Sequence, residues 1–297
     1  MRGTMKIKKI IQSEFEGEHT DTVTLTMTCS KRLHLFKKAL PSFVQYCTDT
    51  LLVTKVLIFD DSSTQEDRFE MEKIAESLFP RTNIDFVYFD EMPTKYRHAY
   101  IMRHWLQMVK THYVFHLEDD RPMTDNFSLK EAIDIIKQDW EVAIVGYAQS
   151  LREFPQEYLD LYRSTEYGRN REIVYSKNTN YWVWPYIETE EIGNNMFMDS
   201  VRSKEGSEEM SALAGHAINY WEMFVNYPPF GLQPSVMDVN KLRLIGTFDF
   251  VDKLEGSFGK KMYKHFSSIH SVKAKSVHLG GHIYSEKSAY EMNDSIR

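Results

Sequence analysis

The sequence predicts an α/β fold, a mixed and mostly parallel sheet flanked by helices. Three observations predict it. Short apolar runs recur through the first half at Val23 to Thr28, Val56 to Phe59, Ile84 to Phe89, Tyr113 to Leu117 and Val142 to Gly146. They are too short for helices and rich in β-branched or aromatic side chains. Longer segments with helical spacing lie between them, and strand–helix alternation implies parallel strands joined by right-handed crossovers. The Val56 to Phe59 and Tyr113 to Leu117 runs end directly in the carboxylate clusters Asp60-Asp61 and Glu118-Asp119-Asp120, at the strand edge where open α/β sheets bind ligands.

Met1 to Asp21 is polar and charged and reads as an arm or weak edge element. Val23 to Thr28 alternates apolar and hydroxyl side chains, as a first strand should. After the loop Cys29-Ser30-Lys31-Arg32, residues Leu33, Phe36, Leu40, Phe43, Val44 and Cys47 mark one face of a helix, with a bend expected at Pro41. The second strand ends in Asp60-Asp61-Ser62-Ser63. Ser63 and Glu66 have capping-box spacing for the next helix, whose apolar side is Phe69, Ile74, Ala75 and Leu78. Tyr96 to Lys110 is predicted helical, with Tyr100, Trp105, Leu106 and Val109 inward, and it delivers the chain to the Tyr113 strand. A helix from about Ser128 to Asp139 precedes the Val142 strand. Regular alternation fades after Ser150, and Leu151 to Asn195 reads as irregular, rich in Tyr, Trp, Glu and Arg.

The chain has 297 residues, enough for one large α/β domain, and one continuous domain is expected. A net charge of −7 with no obvious basic face argues against a nucleic-acid binder. Phosphate binding needs only a few local cations and stays open. With only Cys29 and Cys47 there is neither a disulfide framework nor zinc spacing, which fits a reducing compartment. No signal-peptide core and no long apolar stretch occurs, so a cytoplasmic location with no transmembrane segment is expected.

The most informative stretch is Tyr113-Val114-Phe115-His116-Leu117-Glu118-Asp119-Asp120. Three carboxylates at the carboxyl end of a buried strand are costly unless something cationic sits there. Oxygen ligands suit Mg2+ or Mn2+, which in turn bind phosphate oxygens. The chemistry this suggests is a metal–diphosphate site; the plain alternative is a solvated acidic turn that caps the next helix.

Taken with the other strand ends, the pattern resembles GT-A glycosyltransferases of the family-2 type. Thr28-Cys29-Ser30-Lys31-Arg32 looks like their opening loop. Phe59-Asp60-Asp61-Ser62-Ser63 looks like their strand-end Asp-Asp-Gly-Ser motif, with Ser62 in place of Gly. Arg103-His104 and the Glu118-Asp119-Asp120 segment look like their Arg-Asn helix and DxD motif, with His for Asn and Glu for the first Asp. The second half adds a weaker likeness in Leu254-Glu255-Gly256-Ser257-Phe258-Gly259 and Val277-His278-Leu279-Gly280.

The resemblance implies a GT-A fold and an enzyme that transfers a sugar from a nucleotide-sugar donor, such as a UDP- or GDP-sugar, to a glycan or other hydroxyl acceptor, with Mn2+ or Mg2+ as cofactor. Residues 22–150 would form the nucleotide-sugar-binding half and 151–297 the acceptor half. Asp120 would hold the metal, joined by His278 in preference to His282. Thr28, Asp60 and Asp61 would meet the nucleotide, with helix capping as the alternative for either Asp. Arg32, Arg97 and Arg103 would contact the diphosphate. Glu118 would face the ribose or a metal-bound water, and Asp119 would be a ligand or only a helix cap. Glu255 is the first choice for the general base, with Asp252 second, and inversion is expected. His116 is expected to pack within its strand and His112 to lie in a loop. Trp182, Trp184, Tyr186 and Trp221 would form a sugar-facing wall or pack in the core. Two rival functions share such a fold: a nucleotidyltransferase, which should have a Gly-rich loop that Val23 to Arg32 lacks, and a catalytically inactive carbohydrate-binding protein.

Overall fold

The computed structural model describes residues 20–90, 97–147, 181–183, 230–250, 254–271 and 274–279. The first half winds as expected: β1 (Val23–Cys29), α1 (Leu33–Tyr46), β2 (Val53–Asp60), α2 (Gln65–Leu78), β3 (Asn83–Tyr88), α3 (Arg97–Met108), β4 (Tyr113–Glu118), α4 (Leu129–Gln138) and β5 (Val142–Gly146). Then come β6 (Tyr181–Val183), β7 (Ser235–Asp238), α5 (Val239–Ile245), α6 (Leu254–Tyr263) and β8 (Ser267–Ser271). They build one eight-stranded sheet in the order β3-β2-β1-β4-β7-β5-β8-β6. Strands β1 to β4 pair in parallel. The mixed character comes from β7, which lies antiparallel between β4 and β5, and from β6, antiparallel to β8.

The period-two pattern of the strands sorts the core into two layers. Leu25, Met27, Val56, Ile58, Phe115 and Leu117 face α1, α2 and α4, and pack on Phe36, Phe43, Met71 and Ile133. Leu57, Phe59, Val114 and Met237 face the other way, onto Trp105, Phe248 and Phe258. Each such large side chain removed from water contributes about 1.5–3 kcal/mol. The hydroxyls of β1 lie on this second side, where Trp105 Nε1 donates to Thr26 Oγ1 at 2.6 Å and His116 Nδ1 sits 3.0 Å from the same oxygen. His116 does pack within its strand, and burial, followed by the neighbouring His98, pushes its pKa down to about 3.

Helix ends are closed by residues far away in sequence. Asp49 accepts from Leu129 N and Lys130 N and from the Ser128 hydroxyl, which itself caps α4. Buried Lys241 donates to Val142 O at 2.7 Å and Ile136 O at 3.4 Å, and Arg243 donates to Leu106 O and Val109 O beyond the end of α3. Those orphan carbonyls would otherwise be buried without donors.

Several expectations shift. β2 begins at Val53 and includes Asp60. The cap of α2 is Thr64, not Ser63: Thr64 Oγ1 accepts from Asp67 N at 3.1 Å, while the Ser63 hydroxyl is drawn to Asp60. α1 continues through Pro41, and α3 ends at Met108 rather than Lys110. Among the described residues no helix is long and apolar enough to cross a membrane.

Candidate active site

The carboxyl ends of β1, β2 and β4 lie side by side, with Cys29 beside Asp60 and Thr28 beside Glu118 in register. Alternation along β4 splits its terminal carboxylates: the odd-numbered positions face α1 and the even ones face α3 and α6. Asp119, 1% exposed, therefore turns toward the β1 loop. Both its oxygens accept from Arg32, through Nε at 3.2 Å and through Nη2, and Ser30 N adds a bond at 3.3 Å. Burial works against the Arg32 charge, yet Asp119 and Asp120 hold its proton more firmly than usual. Asp119 anchors the loop after β1, and Arg32 is committed to carboxylates within the protein.

Asp120 sits between two cationic donors. Its Oδ2 accepts from Arg32 Nη1 at 2.9 Å and lies 3.4 Å from His278 Nε2. Burial opposes its ionisation, but His278, Arg32 and Arg121 outweigh burial and pull the carboxyl down to about 2. The His278 segment is tied to this turn by Leu279 N donating to Asp120 O at 2.8 Å and Val277 N donating to Pro122 O at 3.0 Å. Two residues 158 positions apart in sequence therefore meet at one point.

Glu118 is partly buried and ion-paired with Arg121, whose Nε lies 2.9 Å from its Oε2. Burial is the main reason its pKa climbs to about 8; Arg121 opposes the rise, and Asp120 and Glu255 add to it. Glu255, in the first turn of α6, reaches the same space. Its Oε1 accepts from Leu232 N at 2.8 Å. Burial also raises its pKa, against Leu232 N and Arg121. Among the described residues it forms no ion pair. Sequence reasoning missed Arg121 and Leu232. Arg121 reads as the residue that stops a strand, and a backbone donor carries no side-chain signal.

The end of β2 is built differently. Asp60, fully buried, accepts from Arg68 Nε at 2.8 Å, from Ser63 N at 3.2 Å and from the Ser63 hydroxyl at 2.5 Å. Arg68 also pairs with Asp90. Asp61 is half-buried and accepts from Arg97 Nη1 at 2.5 Å. Ser62 stands at φ 61°, the left-handed region that glycine adopts without strain, and its hydroxyl donates to Phe89 O at 3.1 Å. Arg103 is turned away from this edge: Nε donates to Phe248 O at 2.6 Å, and the guanidinium stacks 4.1 Å over Phe250. Asp252, His282, Trp184, Tyr186 and Trp221 lie outside the described residues, as does the side chain of Trp182.

Among the described residues no group of three or more His, Cys, Asp or Glu could hold a metal. Asp120 and His278 nevertheless offer one carboxylate oxygen and one imidazole nitrogen at one point. That donor set fits a Mg2+ or Mn2+ ion whose remaining positions are filled by substrate phosphates and water.

No protein-family model and no curated protein matches the sequence. Solved structures do. The mannosyltransferase PcManGT from Pyrobaculum calidifontis, solved with GDP-Man and Mn2+, matches over 94% of this chain and 66% of its own, at TM-score 0.51 and 11% identity. S. aureus TarS 1-349 in complex with UDP-GlcNAc matches over 89% and 62%, at TM-score 0.47 and 12% identity. The chain therefore spans less than two thirds of the solved chains it matches. The PcManGT likeness shows the fold, and the expected glycosyltransferase-type α/β architecture is borne out.

Proposed function

We propose that the protein is a metal-dependent glycosyltransferase that moves a sugar from a nucleoside diphosphate sugar to a hydroxyl acceptor, with inversion at the anomeric carbon. The observation that carries this reading is the division of labour among four converging carboxylates. Glu118, Asp119 and Asp120 are each paired with a cationic side chain; among the described residues Glu255 is held by a backbone N–H and no ion pair. A carboxylate fixed through one oxygen and lacking an ion pair suits a general base.

In this reading Asp120 and His278 hold Mn2+ or Mg2+, which when bound neutralises charge on the departing diphosphate. The use of Mn2+ by PcManGT is consistent with that assignment. Asp61 and Arg97, with Thr28 beside them, flank the nucleotide. Asp60 fixes the loop beneath them by accepting from Ser63 N and the Ser63 hydroxyl. Arg121 orients Glu118 toward the donor side. Glu255 accepts the proton of the acceptor hydroxyl as the oxygen attacks the anomeric carbon from the face opposite the leaving group, so configuration inverts. UDP- and GDP-sugars are the donors to test first, since the two structural neighbours were solved with GDP-Man and UDP-GlcNAc.

Incubation with a panel of UDP- and GDP-sugars and Mn2+ should release nucleoside diphosphate, faster when a glycan acceptor is added. Binding of nucleoside diphosphate without any release would instead identify an inactive carbohydrate-binding protein. Release of pyrophosphate from a nucleoside triphosphate and a sugar phosphate would point to a nucleotidyltransferase.

A further inference from the structure

A second polar site lies at the opposite, amino-terminal edge of the sheet. Side chains from the start of β1, from β2, from the end of α3 and the segment after it, and from the start of α5 line an open cavity of about 570 Å³. That volume is within the range of small-molecule sites. Thr24 lines it near the start of β1, while Cys29 ends that strand beside the acidic edge. At about 3.3 Å per residue the two sites are on the order of 15–20 Å apart.

The lining chemistry is the reverse of the acidic edge. It has two lysines, one imidazole, one carboxamide and four threonines, and no carboxylate, in a chain of net charge −7. Exposed Lys110 forms no ion pair among the described residues; its ammonium donates to Gln107 O at 2.9 Å. Lys55 shares its charge with Asp85 at 2.5 Å, and Asp85 lies outside the lining. Carbonyls at the end of α3 would repel an anion here, but Arg243 donates to Leu106 O and Val109 O and covers them. The wall itself is fixed. Thr111 Oγ1 accepts from Thr24 N at 3.0 Å and donates to Tyr113 O at 2.6 Å. His112 lies between Asp238 and Asn240, at 3.2 and 3.0 Å.

We infer that this cavity binds a small phosphorylated, hydroxyl-bearing molecule, a sugar phosphate in chemical class. The two ammonium groups take the phosphate, because an anion recruits cationic donors through charge-assisted bonds. The threonine hydroxyls and the Asn240 amide take the sugar hydroxyls. Met108 is the one apolar side chain in the lining, so the organic part of the ligand is polar. Bare phosphate would fill only a fraction of the space.

The test is calorimetric titration of the full chain with glucose 6-phosphate, inorganic phosphate and glucose, in the presence and absence of a nucleoside diphosphate with Mn2+. Glucose 6-phosphate should bind saturably, more tightly than phosphate and far more tightly than glucose. Saturating nucleoside diphosphate should leave that binding unchanged. Lys110→Gln should weaken it by about tenfold, the scale of one charge-assisted hydrogen bond, and adding Lys55→Gln should weaken it further, each variant melting near the wild-type temperature. Lys110 is exposed, so the single variant serves even if the double variant does not fold. Equal affinity for glucose, displacement by nucleoside diphosphate, or unchanged affinity in Lys110→Gln would each overturn the assignment.

Discussion

The ends of β2 and β4 look alike in sequence, each an apolar run closed by adjacent carboxylates, yet they do different work. At β2, Asp60 disappears into the fold among Arg68, Ser63 and the Cys29 thiol. Asp61 stays at the surface against Arg97. At β4 Asp119 is likewise taken by an arginine, Asp120 is buried between Arg32 and His278, and Glu118 stays partly exposed. In both places one carboxylate supports the loop architecture and its neighbours face the edge. The difference is what joins the rim. β4 gathers His278 and Glu255 from the second half of the chain; the partners described at β2, Cys29, Ser63, Arg68 and Arg97, come from the first half.

The sharpest way to separate the two ends is to remove charge from each. Glu255→Gln should lower transfer by about 10²–10⁴-fold, the usual cost of losing a positioned base. Nucleoside diphosphate affinity should change little, because the proposed role of Glu255 is toward the acceptor hydroxyl and not the diphosphate. A loss of affinity with normal transfer at saturating donor would make it a binding residue.

Asp60→Ala should act on the fold instead. It leaves Arg68 with one of its two carboxylate partners and Ser63 without its acceptor. Removing one partner of a buried pair costs about 3–5 kcal/mol, which urea denaturation would read directly. A melting temperature near wild type would show that Asp90 alone satisfies Arg68.

Asp120→Asn falls between these extremes. The Asp120 carboxyl titrates below its usual value, so its ionised form adds stability above that value and loses it as pH falls toward about 2. Neutralising it should therefore cost stability at neutral pH, up to about 2 kcal/mol, measurable as a shift in denaturant midpoint. Unchanged or raised stability would mean that relief of acidic crowding outweighs the lost contacts to Arg32 and His278.

The smallest expected effect comes from the layer beneath β4. His116 is held neutral with a pKa of about 3, against about 6.5 for an exposed imidazole. The unfolded chain then binds the proton first. The stability His116 permits is complete above pH ~6.5 and is lost as pH falls from there toward 3. Denaturation midpoints measured between pH 7 and 5 should fall less steeply in His116→Gln than in the wild type. Parallel slopes would contradict the burial argument.

Much of the fold was legible in the sequence because it rests on local patterns. The runs at Val23, Val56, Ile84, Tyr113 and Val142 all become strands, and the Ser128 start of α4 is where its cap sits. What escaped has a common cause. β7 is a four-residue strand, too short to show a period of its own, placed by its partners on both sides. The shift of the α2 cap from Ser63 to Thr64 follows from Asp60 claiming the Ser63 hydroxyl, a tertiary competition. Of the candidate site, the acidic residue types at the strand ends were legible, and the structure brings His278 to within 3.4 Å of Asp120. Which arginine neutralises which carboxylate was not legible, because Arg32 meets Asp119 and Asp120 across 87 and 88 positions, a crossing that no local spacing encodes. The contacts of Arg103 with Phe248 O and the Phe250 ring are likewise tertiary and leave no local signal.

The central claim is that the β4 edge binds a nucleoside diphosphate through a cation held by Asp120 and His278. Calorimetric titration of nucleoside diphosphate with Mn2+ and with excess chelator, in wild type and in Asp120→Asn, tests it most directly. The account predicts tight binding only for wild type with Mn2+, and weak binding in the other three cases. Equal affinity in chelator, or Mn2+-dependent binding that survives Asp120→Asn intact, would contradict it.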